Sequence, residues 1–261
     1  MTMMETPRQV WDKIRRGEWT GPTSGLAPAY AQANMVILES RLAFDFLLFC
    51  VRNPKPCPIL DVLEPGEFEP KLTAHGADVR TDLPLYRVWR NGRLAEEVPG
   101  ISDLFSKDMV TFLLGCSFSF EQALIGAGVP VRNMEEGKNV SMYRTNTMCI
   151  PAGPFSAPLV VSMRPIPAEL VTRAVRITGR YPSVPGAPVH IGDPAAIGIA
   201  DLGKPDFGDP VTIRKGETPV FWACGVTSSV AVLSAAPDLC ITHAPGHMFI
   251  TDVLNESLAS G

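Results

Sequence analysis

The chain has 261 residues, 46% apolar and 19% charged, with 23 basic against 27 acidic side chains and a formal charge of −4. That length buries a substantial core, and the acidic balance supplies no basic field for phosphates, which argues against nucleic acid as a partner. The most apolar run, Leu42 to Val51, is interrupted by Asp45 and falls short of the roughly 18 residues a membrane span requires, so no membrane partner is expected.

The first nineteen residues carry Glu5, Asp12, Lys13, Arg15, Arg16 and Glu18 where a secretory leader would be uniformly apolar, so none is expected. Six cysteines without a CxxC pair read as reduced thiols of a cytoplasmic protein. With 22 glycines and 25 prolines, the chain should be rich in sharply turned, ordered loops.

Thr6, Pro7 and Gln9 form an N-cap, a first-turn proline and a capping-box partner, which predicts a helix with Val10, Trp11 and Ile14 on one face, ended by Gly17. Trp19 to Ala29 reads as an ordered loop. A second helix begins at Ser40, is apolar nearly all round and therefore buried, and ends at Arg52-Asn53-Pro54. Leu85–Trp89 and Leu94–Val98 flank Asn91-Gly92, a strong hairpin signal.

Met109 to Gly115 is a short apolar strand, followed by a turn at Cys116 and a helix from Phe120 to Ala127, with Ser119 and Gln122 in capping-box positions. Pro219 to Gly225 repeats this plan: a strand ending at Cys224, a turn through Thr227, and a helix from Ser228 to Ala236. Placing Cys116 over Cys224 sets Ser119 over Thr227, a spacing compatible with an internal pseudo-repeat or with chance.

Between these units, Pro158–Met163 reads as a strand and Pro167–Gly179 as an amphipathic helix. Asp193 then caps a short helix opened by Pro194, and Cys240–Thr242 and Met248–Val253 read as strands. The order predicts an α/β fold with mixed α+β additions, a single domain over 1–261 in two interlocked lobes, about 1–105 and 106–261, without a clean linker.

The turn Gly115-Cys116-Ser117-Phe118-Ser119 delivers a strand end to a helix start, where free N–H groups favour an anion and would lower the Cys116 pKa. An ordinary glycine turn with a capping serine explains the same residues. Of four histidines, His190 has Asp193 three residues on as a candidate orienting carboxylate, or is half-buried and bonded to backbone. His243 and His247 bracket Pro245-Gly246 and do not form a zincin pair, and His75 reads as a solvated loop residue.

No cofactor is expected, beyond a weak divalent-metal site drawing on His190, Asp193 or His247. Arg144 and Arg164 sit in apolar or proline-rich surroundings, where a guanidinium needs an anion, either a substrate carboxylate or a structural partner. No GxGxxG, Walker or GxSxG pattern occurs.

The strings WTGPTSGLAPAYAQAN, DFLLFCVRNPKPCPIL, FLLGCSFSFEQALIGAGVPVRN, NVSMYRTN, GAPVHIGDPAAIGIAD, PVFWACGVT and ITHAPGHMFITD resemble the D-glutamate cyclase family, also described as hydro-lyases, over about Pro7 to Asp252. The sequence departs from the family pattern at Asn133 and Pro185, where histidine is common.

The resemblance implies cyclisation of D-glutamate to 5-oxo-D-proline with loss of water. On that reading His190, oriented by Asp193, transfers the proton, with His247 in reserve. Ser117 and Ser119 with their N–H groups receive the γ-carboxylate, Arg144 or Arg164 takes the α-carboxylate, and Cys116 and Cys224 line the cleft as polarising or binding groups, Cys116 being also a potential nucleophile. The expected partner is a small carboxylic or amino-acid substrate, and assembly into a homo-oligomer is compatible with it. The alternatives are a lyase on another small carboxylic acid and a non-catalytic amino-acid or lactam-binding protein.

Overall fold

The stretch Tyr30–Glu39 shows neither helical nor alternating periodicity, yet it is strand β1, at the centre of the larger of two sheets. Residues 31–38 are all buried. A strand covered on both faces loses the alternation that identifies half-exposed strands. The computed structural model describes residues 5–260; the first four residues, part of the segment expected to lack a leader, lie outside it.

The helices are α1 (Pro7–Arg15), α2 (Ser40–Arg52), α3 (Glu121–Gly126), α4 (Arg132–Glu135), α5 (Val171–Gly179) and α6 (Val226–Ala235). The remaining strands are β2 (Ile59–Val62), β3 (Tyr86–Arg90), β4 (Arg93–Val98), β5 (Met109–Gly115), β6 (Ser141–Met148), β7 (Pro158–Pro167), β8 (His190–Ile191), β9 (Glu217–Ala223), β10 (Cys240–His243) and β11 (Phe249–Leu254). The larger sheet runs β2-β5-β1-β10-β3-β4, with β11 also on β1, and the smaller runs β6-β7-β9-β8.

The fold is mixed α/β, as expected, and the strand pairings are antiparallel. A lobe boundary near residue 105 does not describe it. The larger sheet draws strands from both ends of the chain, and the smaller is built entirely from its middle.

Short-range signals are realised closely. Thr6 and Gln9 form the reciprocal capping box of α1. Asn91 and Gly92 both take positive φ, 50° and 73°, as a two-residue hairpin between β3 and β4 requires. By contrast, α2 is not buried all round: Phe46, Phe49 and Cys50 face the core, while Phe44 is 73% and Val51 60% exposed.

The two strand-turn-helix units prove to be matched in geometry. Ala33 faces Gly115 in the β1–β5 register, and Val161 faces Ala223 in the β7–β9 register. The Cys116 N–H donates to Gln32 O (3.1 Å) and the Gln32 N–H donates to Ser119 Oγ (3.2 Å). The Cys224 N–H likewise donates to Val160 O (2.9 Å), and the Val160 N–H to Thr227 Oγ1 (3.0 Å). Ser119 therefore clamps the neighbouring strand, and the capping box expected with Gln122 does not form.

The units interlock through α6, which lies against both β7 and β1. The Asn34 amide donates to Leu114 O (3.3 Å) and Gly115 O (3.2 Å), and it fills the space of a Cβ on Gly225, 2.0 Å from that position. Gly225→Ala is expected to displace Asn34 and to destabilise the fold by about 1–3 kcal/mol. A urea-unfolding loss below ~0.5 kcal/mol, within the range of neutral surface changes, would show instead that Asn34 moves aside freely.

Candidate functional site

Successive strand residues alternate faces, so Val160, Ser162 and Arg164 of β7 share one face of the smaller sheet with Val220 and Trp222 of β9, their register neighbours. The turn Cys116–Phe120 docks on that face. Arg164 is fully buried: Nε and Nη2 donate to Glu121 Oε1 (3.2 and 2.5 Å), Nη2 to Ser117 Oγ (3.1 Å) and Nη1 to Ser162 Oγ (3.3 Å). Its guanidinium lies 5.6 Å from the Phe120 ring and 5.5 Å from the Trp222 ring.

Glu121 is 2% exposed, and its Oε2 accepts from Ser24 Oγ (3.3 Å). Burial holds its carboxyl above the usual carboxylate range, with Arg164 pulling the other way. This residue escaped sequence reasoning. Its signal is a lone carboxylate inside the apolar run FSFEQAL.

Cys116 and Cys224 meet in one cluster with Phe118, Val140, Met142, Val160 and Met248. Burial pushes the Cys116 thiol up to about 12 and Cys224 up to about 11, although Phe118 and Val226 backbone groups bond to them. The lowered Cys116 pKa expected at a helix start is thus reversed, because desolvation outweighs one N–H from a short turn. Thiols rather than thiolates line the seam at neutral pH.

The expected anion hole is also smaller than three amides. Phe118 bonds to the Cys116 thiol and the Ser119 N–H donates to Cys116 O (3.1 Å), leaving the Ser117 N–H without an acceptor among the described residues. Gly225, its counterpart in the second unit, likewise has a free N–H.

His190 lies elsewhere. It pairs in register with Phe221, their rings 5.6 Å apart, and Phe221 faces Met163, which places His190 on the face of the smaller sheet opposite Arg164. Its Nε2 is 2.7 Å from the Asp193 carbonyl oxygen, while the Asp193 carboxylate accepts from the Ala195 N–H (3.0 Å). The expected His190–Asp193 carboxylate dyad therefore does not form: the carboxylate serves as the cap predicted for it.

Arg144 shares the Arg164 face but is exposed at its rim, because β6 is an edge strand. Its guanidinium sits 5.2 Å from the Phe207 ring, with Nη1 3.9 Å from Asp206. Phe207 packs against the thiol cluster and lines the pocket outside it that holds His247. His247 Nδ1 is 3.1 Å from Pro245 O, and burial lowers its pKa. His243 is buried at the end of β10, its Nδ1 3.2 Å from Met35 N and 3.3 Å from Met35 O, its Nε2 unpartnered. His75 is a solvated loop residue beside Glu69 (3.0 Å).

Among the described residues no group of three His, Cys, Asp or Glu side chains gathers to hold a metal. Nor does any helix there have the length and apolarity to cross a membrane.

The sequence profile of the D-glutamate cyclase family matches residues 110–252, a span that contains both thiol turns, Glu121, Arg164, His190 and His247. A "Putative hydro-lyase" of Syntrophobacter fumaroxidans is 72% identical over 260 residues, covering 100% of both chains. The "Putative hydro-lyase GK2103" of Geobacillus kaustophilus is 64% identical over 96% of this chain and 95% of its own. The "Putative hydro-lyase YcsI" of Bacillus subtilis is 59% identical over 97% and 98%. A solved nitrogen repressor-like protein, MJ0159 from Methanococcus jannaschii, aligns over 94% of this chain and 98% of its own at 7% identity and a TM-score of 0.38, too loose a likeness to bear on function. With full-length relatives at this identity and the family profile spanning both units, the chain belongs to the D-glutamate cyclase family.

Proposed function

We propose that the chain is a hydro-lyase that cyclises D-glutamate to 5-oxo-D-proline, with chemistry at the seam between the two units. The observation that carries this reading is the buried Glu121–Arg164–Ser117 cluster beside the seam where two protonated thiols meet. In the reaction the α-nitrogen bonds to the γ-carbon, a γ-carbon–oxygen bond breaks, and both protons lost by the ammonium leave on that oxygen as water. One group that accepts and then returns a proton is enough, and a carboxyl whose pKa is raised by burial suits both steps.

Glu121 takes that role, with Arg164 positioning it. The Ser117 hydroxyl and the Ser117 and Gly225 N–H groups polarise the γ-carboxyl. Ser119 holds the turn through Gln32, Cys116 and Cys224 contribute neutral donors, and exposed Arg144 receives the α-carboxylate. His247, largely neutral at pH 7 because burial lowers its pKa, is the reserve base at the rim. A substrate free in solution, a cytoplasmic setting and no cofactor complete the proposal.

The test is incubation of purified protein, metal-stripped and then metal-supplemented, with D- and L-glutamate, following 5-oxoproline by chiral chromatography. D-specific product is the expected result, and no product from either enantiomer under both conditions sinks the reading. Glu121→Gln is expected to lower kcat by about 10²–10⁴-fold, while His190→Ala leaves it within about twofold. A large loss in His190→Ala with an unchanged fold would return proton transfer to His190.

A further inference from the structure

Beside the seam lies a pocket of ≈ 550 Å³, lined by Arg87, Glu97, Asn139, Asp206, Phe207 and His247. That volume suits a small ligand. Two of its charged groups are incompletely used. Arg87 donates Nε to Glu97 Oε1 (2.7 Å), and its two Nη groups donate to nothing among the described residues, whereas Arg164 engages all three of its nitrogens. Asp206 Oδ2 accepts from the Arg144 N–H (2.8 Å), and its Oδ1 has only Arg144 Nη1, 3.9 Å away. Arg87 and Asp206, each with a polar atom that makes no hydrogen bond among the described residues, therefore line one volume.

Arg87, Phe207 and Pro245 also line a narrow inner void of ≈ 20 Å³, room for one water-sized atom. His243 is among its lining residues, 2% exposed and with Nε2 unpartnered among the described residues. A buried ring nitrogen without a partner is uncommon and calls for a reason. The remaining walls of the void are apolar at Trp89, Val226, Val230 and Leu233 and polar at Ser229 and Thr242.

The geometry points to a second ligand site, separated from the seam by Phe207 and specific for a free α-amino acid. Its carboxylate lies on the Nη edge of Arg87 and its ammonium on Asp206 Oδ1, with a polar side-chain atom directed toward His243. The pairing of charges selects a zwitterion: a plain dicarboxylate would gain Arg87 but meet Asp206 and Glu97 as like charges, and a plain amine would forgo Arg87. The ligand contacts of this site, Arg87, Asp206 and His243, have no role in the cyclase reading, although Asp206 touches Arg144 and His247 lines the same pocket.

Calorimetric titration of the full chain with D-glutamate, L-glutamate and glutarate tests it, alongside NMR of the histidine rings. Running each titration on wild type and on Glu121→Gln keeps turnover out of the heat. Binding of at least one glutamate enantiomer, more tightly than glutarate and with a shift of the His243 ring signals, is expected in both proteins.

Arg87→Gln is expected to weaken glutamate binding tenfold or more. Asp206→Asn should abolish the preference for glutamate over glutarate while leaving the unfolding midpoint unchanged. Binding insensitive to both substitutions, or no binding of either enantiomer at millimolar concentration, overturns the site. Binding here without 5-oxoproline formation would sink the cyclase reading and leave this one standing.

Discussion

Replacing Arg164 with methionine is expected to cost about 3–5 kcal/mol in stability, because it leaves Glu121 buried without its counter-charge. Among the described residues Arg164 is the single cation bonded to that carboxylate, and the bonds to Ser117 and Ser162 would be lost with it. Methionine retains apolar contact with the Phe120 and Trp222 rings, so the loss reports on the ionic part. The double variant Arg164→Met/Glu121→Gln should recover most of it, since a neutral amide is far cheaper to bury than a lone carboxylate. Urea unfolding measures both, and a single-variant loss under ~1 kcal/mol, the scale of an exposed ion pair, would mean that Glu121 takes up a proton and stays neutral when Arg164 is removed.

Acidification is expected to destabilise the fold through His243, whose ring burial pushes down to about 4. Above pH 6.5 both folded and unfolded chains hold it neutral, and its stabilising contribution is fully present. As pH falls from 6.5 toward 4 the unfolded chain takes up a proton that the folded chain excludes. Stability therefore drops, by about 3 kcal/mol over the interval.

His247, also lowered, acts in the same direction. The raised carboxyl of Glu121 acts in the opposite direction, since the folded state holds its proton to higher pH. Comparing unfolding free energies of wild type and His243→Asn across pH 4–7 isolates the His243 part. The variant should lose less stability on acidification, and parallel curves would show that His243 titrates normally in the folded chain.

Elements declared by residues three or four apart were legible: the α1 capping box, the Asn91-Gly92 hairpin, and the twin turns at Cys116 and Cys224. The central strand β1 was not, because burial on both faces erases its alternation. Arg144 and Arg164 look alike as MYRTN and SMRPIP, but one lies on edge strand β6 and the other on β7 between two neighbours, so the first is exposed and the second enclosed. His190 and Asp193 were a plausible pair by spacing. Which face of the smaller sheet they occupy was set by the register of β8 on β9, invisible along the chain.

The family, the caps and turns, and two similar strand-turn-helix units can be read along the chain, since contiguous residues encode them. The tertiary structure decided which groups share a site and in what protonation state. Glu121 meets Arg164 across 43 positions, and Met35 meets His243 across 208. Burial, which moves the Cys116 thiol and the His243 ring in opposite directions but always toward the neutral form, is a property of the folded surroundings and not of any residue's neighbours in the chain.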